Sequence, residues 1–135
     1  MNGSRFTFHK NERLCSQRRI AALFDGGRSF YTGLFRVIWL ESPDSLPAPV
    51  QVMFTVPKKT FKHAVDRNLI KRRMREAYRL GKPGLYSALE SRGIRLTIVL
   101  IYLNREISAY EVIEKDINEV IDRLKIITAG NGGKC

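Results

Sequence analysis

Residues Ala64 to Arg79 read A-V-D-R-N-L-I-K-R-R-M-R-E-A-Y-R. Arg67, Lys71, Arg75 and Arg79 recur every fourth residue, so a helix would align them as one ridge. Leu69, Ile70, Met74, Ala77 and Tyr78 supply apolar contact opposite that ridge. Like charges at this spacing repel and destabilise an isolated helix. A chain that carries them is expected to set a polyanion against the ridge. The plain alternative is a solvated charged face, but such faces usually mix signs, and Asp66 and Glu76 are the only acids here. Gly81, Pro83 and Gly84 predict the end of the helix, and Leu85 to Ser91 a separate helical turn.

The rest of the composition narrows the partner. At 135 residues, with 44% hydrophobic, the chain is expected to form a single domain over 1–135 with a real core. Its net charge of +11 and pI of about 10.1 favour nucleic acid over an anionic membrane surface. The charge is concentrated: ten Lys or Arg stand against two acids between Pro57 and Lys82, whereas Leu103 to Cys135 holds five bases and six acids. No apolar run approaches the ~20 residues of a membrane span. The first ten residues lack a signal-peptide core, so a cytoplasmic protein is expected. Cys15 and Cys135 then read as reduced thiols.

Strands flank the ridge. Val50 to Val56 alternates, with Val50, Val52, Phe54 and Val56 inward. Pro57 ends it, and residues 58–63 form a basic connection into the helix. Ile94 to Tyr102 becomes apolar on both faces, as a central strand does. Ser29 to Glu41 reads as one strand, with Phe35, Val37 and Trp39 on one face and Leu34, Arg36, Ile38 and Leu40 on the other. Ser42 to Pro49 is a loop. Ser16 is placed to cap a short helix to about Phe24, ended by Asp25-Gly26-Gly27. Ser108 and Glu111 read as a capping box for a helix to about Ile126, with Tyr110, Ile113, Ile117, Val120, Ile121 and Leu124 as its core stripe. Residues 1–13 read as an N-terminal arm whose Phe6 and Phe8 pack on the body, and 128–135 as a flexible tail. The order is helix, strand, strand, helix, strand, helix. It predicts an α+β fold: a small two-layer sandwich, a mixed sheet packed by helices, with a strand-helix-strand crossover carrying the basic helix. General chirality makes that crossover right-handed.

Acid-base chemistry is thinly supplied. His9 and His63 are the only histidines, the cysteines lack metal-ligand spacing, and no Gly-rich phosphate loop is present. No catalytic or metal residue is therefore assigned to the chain, and no small-molecule substrate. Guanidinium groups suit phosphate oxygens because they donate two parallel hydrogen bonds. Asn68, uncharged among cations, either orders a local network or touches RNA. Phe24, Phe30, Tyr31, Phe35 and Trp39 are candidate stacking surfaces, of which Phe24 and an exposed face of the first strand are preferred.

Lys58-Lys59, then Ala64 to Arg72, then Arg75-Glu76 and Arg79, together resemble the signature of the protein subunit of bacterial ribonuclease P. Arg13-Leu14, Phe24 and Gly27 resemble that family's first helix and the turn after it. The resemblance implies a left-handed crossover, against the general rule. It implies binding to a catalytic RNA, which performs hydrolysis with Mg²⁺ and releases tRNA with a mature 5′ end. Lys58, Lys59, Lys62, Arg67, Asn68, Lys71, Arg72, Arg75 and Arg79 would contact RNA. Ile20, Phe24, Phe35 and Ile38 would line a cleft for the single-stranded 5′ leader of pre-tRNA. Ile20 stands where the family often has a second Phe, and Ile38 near a position that can be Tyr. The rivals are a general structured-RNA-binding or ribosome-associated protein without a catalytic partner, and a self-sufficient nuclease.

Overall fold

The computed structural model describes residues 10–42 and 48–134. Phe6, Phe8, most of the proline-rich loop and Cys135 lie outside them. The elements are α1 (Gln17–Gly26), β1 (Arg28–Tyr31), β2 (Phe35–Ser42), β3 (Val50–Thr55), α2 (Ala64–Arg92), β4 (Arg95–Tyr102) and α3 (Tyr110–Lys134). The four strands form one sheet in the order β1-β2-β4-β3. β1–β2 and β2–β4 are antiparallel, and β3–β4 is parallel. The mixed sheet and the α2 crossover between parallel neighbours are those the sequence predicts.

Alternation along the strands separates two faces. Phe35, Val37 and Trp39 of β2 meet Val50, Val52 and Phe54 of β3 and Leu96, Ile98 and Leu100 of β4 in the main core. Ile70, Met74, Leu85 and Leu89 of α2, with Ile113, Ile117 and Ile121 of α3, close that core from above. On the other face Leu14, Leu23, Ile38 and Val99 form a smaller cluster, so α1 roofs part of the sheet from the opposite side. Ser16 caps α1 by accepting from Arg19 N.

The span 29–41 is two strands. Thr32 N donates to Phe35 O at 2.8 Å, closing a turn. Asp116 of α3 accepts from Thr32 Oγ1 at 2.5 Å and from Leu34 N at 3.0 Å. The turn is held by a carboxylate more than 80 residues away, so the local β-pattern runs through it unmarked.

Helix α2 does not stop at Gly81. It continues for 29 residues, ~43 Å, through Pro83 to Arg92. Two glycines and a proline oppose this by roughly 5 kcal/mol. Burial of Leu85 and Leu89 returns about 1.5–3 kcal/mol each. The glycines also admit α3: a Cβ on Gly81 would stand 2.8 Å from Ile121 Cδ1, and one on Gly84 2.9 Å from Lys125 Nζ. The helix ends at Gly93, φ 69°. There Gly93 N donates to Glu90 O and Ile94 N to Leu89 O, the paired bonds of a left-handed C-terminal cap.

Helix α3 also outruns its predicted end. Arg92 Nη1 donates to Lys125 O and to Thr128 Oγ1, each at 3.0 Å, so the turn past Ile126 is tied to α2 and the helix reaches Lys134 instead of becoming a loose tail. The capping box is not formed as expected. Ser108 Oγ accepts from Tyr102 OH at 2.8 Å and Asn104 Nδ2 at 2.9 Å.

The end of the N-terminal arm is docked. Leu14 N donates to Val52 O at 3.0 Å and Arg13 bridges Val52 in parallel. Gln51 Nε2 donates to Asn11 O at 2.9 Å. This segment covers the outer edge of β3, an edge that would otherwise offer unpaired backbone.

Candidate nucleic-acid interface

The basic residues divide by what they touch. Lys58, Lys59 and Lys62 are exposed on the connection between β3 and α2. His63, at the N-terminus of α2, makes no side-chain cap. Arg67 turns back instead: its Nη1 donates to Phe61 O at 2.8 Å and Lys62 O at 3.0 Å, which fixes the basic connection against the first turn. Asn68 and Arg72 are exposed, while Lys71 and Arg75 are half-buried. Arg79 pairs with Glu76 at 2.7 Å. That hydrogen bond holds the Glu76 carboxyl below its ordinary value and the Arg79 guanidinium above its own.

Arg73 and Lys82 belong to the framework. Arg73 Nη1 donates to Ser108 O at 2.6 Å and so braces the start of α3. Lys82 is buried against Glu12.

Arg13 joins the ridge, which spacing on a helix could not show. Its bridge to β3 sets it beside α2. One cleft of about 360 Å³ is lined by Arg13, Cys15, Met53, Lys71 and Arg75 among others. A neighbouring one is lined by Arg13, Arg72, Arg75, Glu76 and Arg79. Arg75 is common to both. Burial first, and then the charges of Arg13 and Arg72, make its protonated state harder to hold than usual. Like charges held together against a half-buried helix face are relieved by an anion, and phosphate oxygens supply it.

The four cleft residues do not all meet. Phe24 is 53% exposed on α1, and Ile20 packs half-buried against the smaller cluster. Ile38 is beneath α1 with Leu23 and Val99, and so forms floor rather than wall. Phe35 is fully buried on the opposite face, edge-on to Tyr102 at 5.9 Å. Positions 35 and 38 differ in parity, and the pleat sends their side chains to opposite faces. Phe35 therefore leaves the cleft. Among the described residues, no group of three or more His, Cys, Asp or Glu could hold a metal ion, and no helix is long and apolar enough to cross a membrane.

Comparison with known proteins finds relatives along most of the chain. The Ribonuclease P family model matches residues 8–125. The ribonuclease P protein component of Chlorobium phaeobacteroides is 34% identical over 130 residues, covering 89% of this chain and 89% of that protein. That of Porphyromonas gingivalis is 32% identical over 126 residues, covering 93% and 89%. The solved RNase P protein from Thermotoga maritima has the same fold, with a TM-score of 0.65 at 22% identity over 83% of this chain and 96% of that one.

Proposed function

The chain belongs to the ribonuclease P protein family, the protein subunit of a ribonucleoprotein endoribonuclease that processes tRNA, and from that premise we propose how its surface serves the reaction. The ridge of α2, with Arg13 beside it, binds the catalytic RNA. Lys58, Lys59, Lys62, Arg67, Asn68, Lys71, Arg72, Arg75 and Arg79 carry that contact, Arg67 in part by holding the connection in place. The exposed Phe24 ring and the sheet face beside α1 grip the single-stranded 5′ leader of pre-tRNA. The reading rests above all on one observation: Arg13, Lys71, Arg72, Arg75 and Arg79 converge from two separate chain segments on one pair of adjoining clefts.

The contribution of the protein is electrostatic and positional. Two RNAs brought together repel, and each phosphate neutralised by Lys or Arg releases counterions. The side chains place cations between them and orient the leader. Hydrolysis is assigned to the RNA. Mg²⁺, held by RNA phosphate oxygens, would supply the activation of the attacking water. The complex is assigned to the cytoplasm.

Pre-tRNA cleavage at low Mg²⁺ by a bacterial catalytic RNA, with and without the chain, tests this. Stimulation is expected, and its absence would overturn the reading. Arg67→Ala with Lys71→Ala should weaken RNA affinity and flatten its salt dependence. Co-purification with ribosomes, rather than with one structured RNA, would favour the ribosome-associated alternative.

A further inference from the structure

One row of side chains crosses all four strands on the α1 side of the sheet. Tyr31 is paired with Arg36, Arg36 with Ile101, and Ile101 with Thr55. The next row on that face contains Ile38 and Val99, and Leu23 of α1 covers it. The Tyr31 row has no such roof. Tyr31 is 59% exposed, and Arg36, Ile101 and Thr55 are half-buried. Beyond Thr55 the chain runs through Pro57 to Lys58 and Lys59, so the far end of the row opens toward the basic connection.

Two observations single out the Tyr31 end. First, Arg36 Nε is buried and has no hydrogen-bond partner among the described residues. Such a donor is left without an acceptor among the described residues. Second, the exposed ring stands on an anchored backbone. Arg123 Nη1 donates to Tyr31 O at 2.8 Å, and Asp116 holds the turn that follows. The Arg36 guanidinium carbon is 6.0 Å from the centre of the Tyr31 ring. An aromatic platform beside a cation with an unmet donor suits an unpaired nucleotide: the base stacks, and an RNA oxygen accepts from the guanidinium.

We propose that Tyr31 and Arg36 form a nucleotide subsite for the unpaired leader, at the end of the sheet face that α1 leaves open. This rests on the leader reading above and extends it beyond Phe24. The base stacks on Tyr31, and an oxygen of the same or the adjoining nucleotide accepts from the Arg36 guanidinium.

The test uses the full chain reconstituted with a bacterial catalytic RNA, and pre-tRNAs whose leaders are lengthened one nucleotide at a time. Kd is measured for wild type, Tyr31→Ala, Tyr31→Phe and Arg36→Lys. Tyr31→Ala should weaken binding about tenfold once the leader is long enough to reach the subsite, and should leave the shortest leaders unaffected. Tyr31→Phe keeps the ring and should behave as wild type. Arg36→Lys keeps the charge but lacks the guanidinium, and should lose affinity at the same leader length as Tyr31→Ala. Equal losses at every length, or none at any length, would overturn the subsite. Wild-type binding that ignores leader length would overturn the leader reading itself, and the subsite with it.

Discussion

Lys82 of α2 and Glu12 of the N-terminal turn form an ion pair whose side chains are only 3% and 5% exposed. Tyr86 OH donates to the same Glu12 Oε1 at 2.7 Å, and Tyr86 and Tyr78 share a hydroxyl–hydroxyl bond of 2.9 Å. The two charges are 70 residues apart in sequence. Their contact fastens the segment carrying Arg13 against the helix carrying Arg75.

Removing one partner strands the other charge in the interior. Glu12→Gln and Lys82→Met should each lower unfolding free energy by about 3 kcal/mol. Glu12→Gln combined with Lys82→Met should recover much of that loss, because neither charge is then left unpaired and the amide oxygen still accepts from Tyr86 OH. Urea unfolding of the three variants checks this; an additive double variant would mean the pair is not coupled.

Arg13 and Arg73 are both cations near the ridge but are differently employed. Arg13→Ala should weaken RNA binding and lower the salt slope of the affinity by about 1. Arg73→Ala should leave that slope unchanged and reduce stability, because its guanidinium braces Ser108 O. Binding titrations across salt, beside thermal melts, separate the two roles.

Gly27 joins α1 to β1 at close quarters. Its N–H donates to Leu23 O at 2.8 Å, and a Cβ there would run into that carbonyl and stand 3.0 Å from Ile38 Cγ2. Gly27→Ala should destabilise the protein by about 1–3 kcal/mol. It should also weaken binding of leader-bearing substrate, since α1 must lift from the sheet. Unchanged stability would show that the turn relaxes freely.

Tyr78 and Tyr86 set the alkaline limit. Burial raises both phenols above their ordinary value of 10.0, with the neighbouring Glu12 charge acting in the same direction. A raised folded-state value makes this contribution complete below pH 10 and progressively lost above it, where only unfolded tyrosines ionise. Each phenol should steepen the decline by about 1.4 kcal/mol per pH unit. Urea midpoints between pH 9 and 11 should fall less steeply in Tyr78→Phe with Tyr86→Phe than in wild type.

Much of the architecture was legible because short-range patterns carry it. Alternation in Val50 to Val56 and the four-residue recurrence from Arg67 to Arg79 report directly which side of an element faces the core. The places where local reading fell short share a cause. Asp116 makes a turn at Thr32 inside a continuous β-pattern. Leu85 and Leu89 carry α2 through Pro83, whose intrinsic preference is to end it. In the candidate site, Phe35 was placed by residue type, although its parity already opposed that of Ile38.

By itself the sequence determined the α+β class, the basic helix, and the order Arg67-Asn68 to Lys71-Arg72 that marks the family, since these depend on residue type and spacing along one segment. Only the tertiary structure decided which cations face outward. Arg13 stands beside the candidate interface through a backbone bridge to Val52, while Lys82, on the same basic helix, is buried against Glu12. Both outcomes depend on contacts between distant segments, where backbone pairing and charge burial, rather than periodicity, choose a side chain's surroundings.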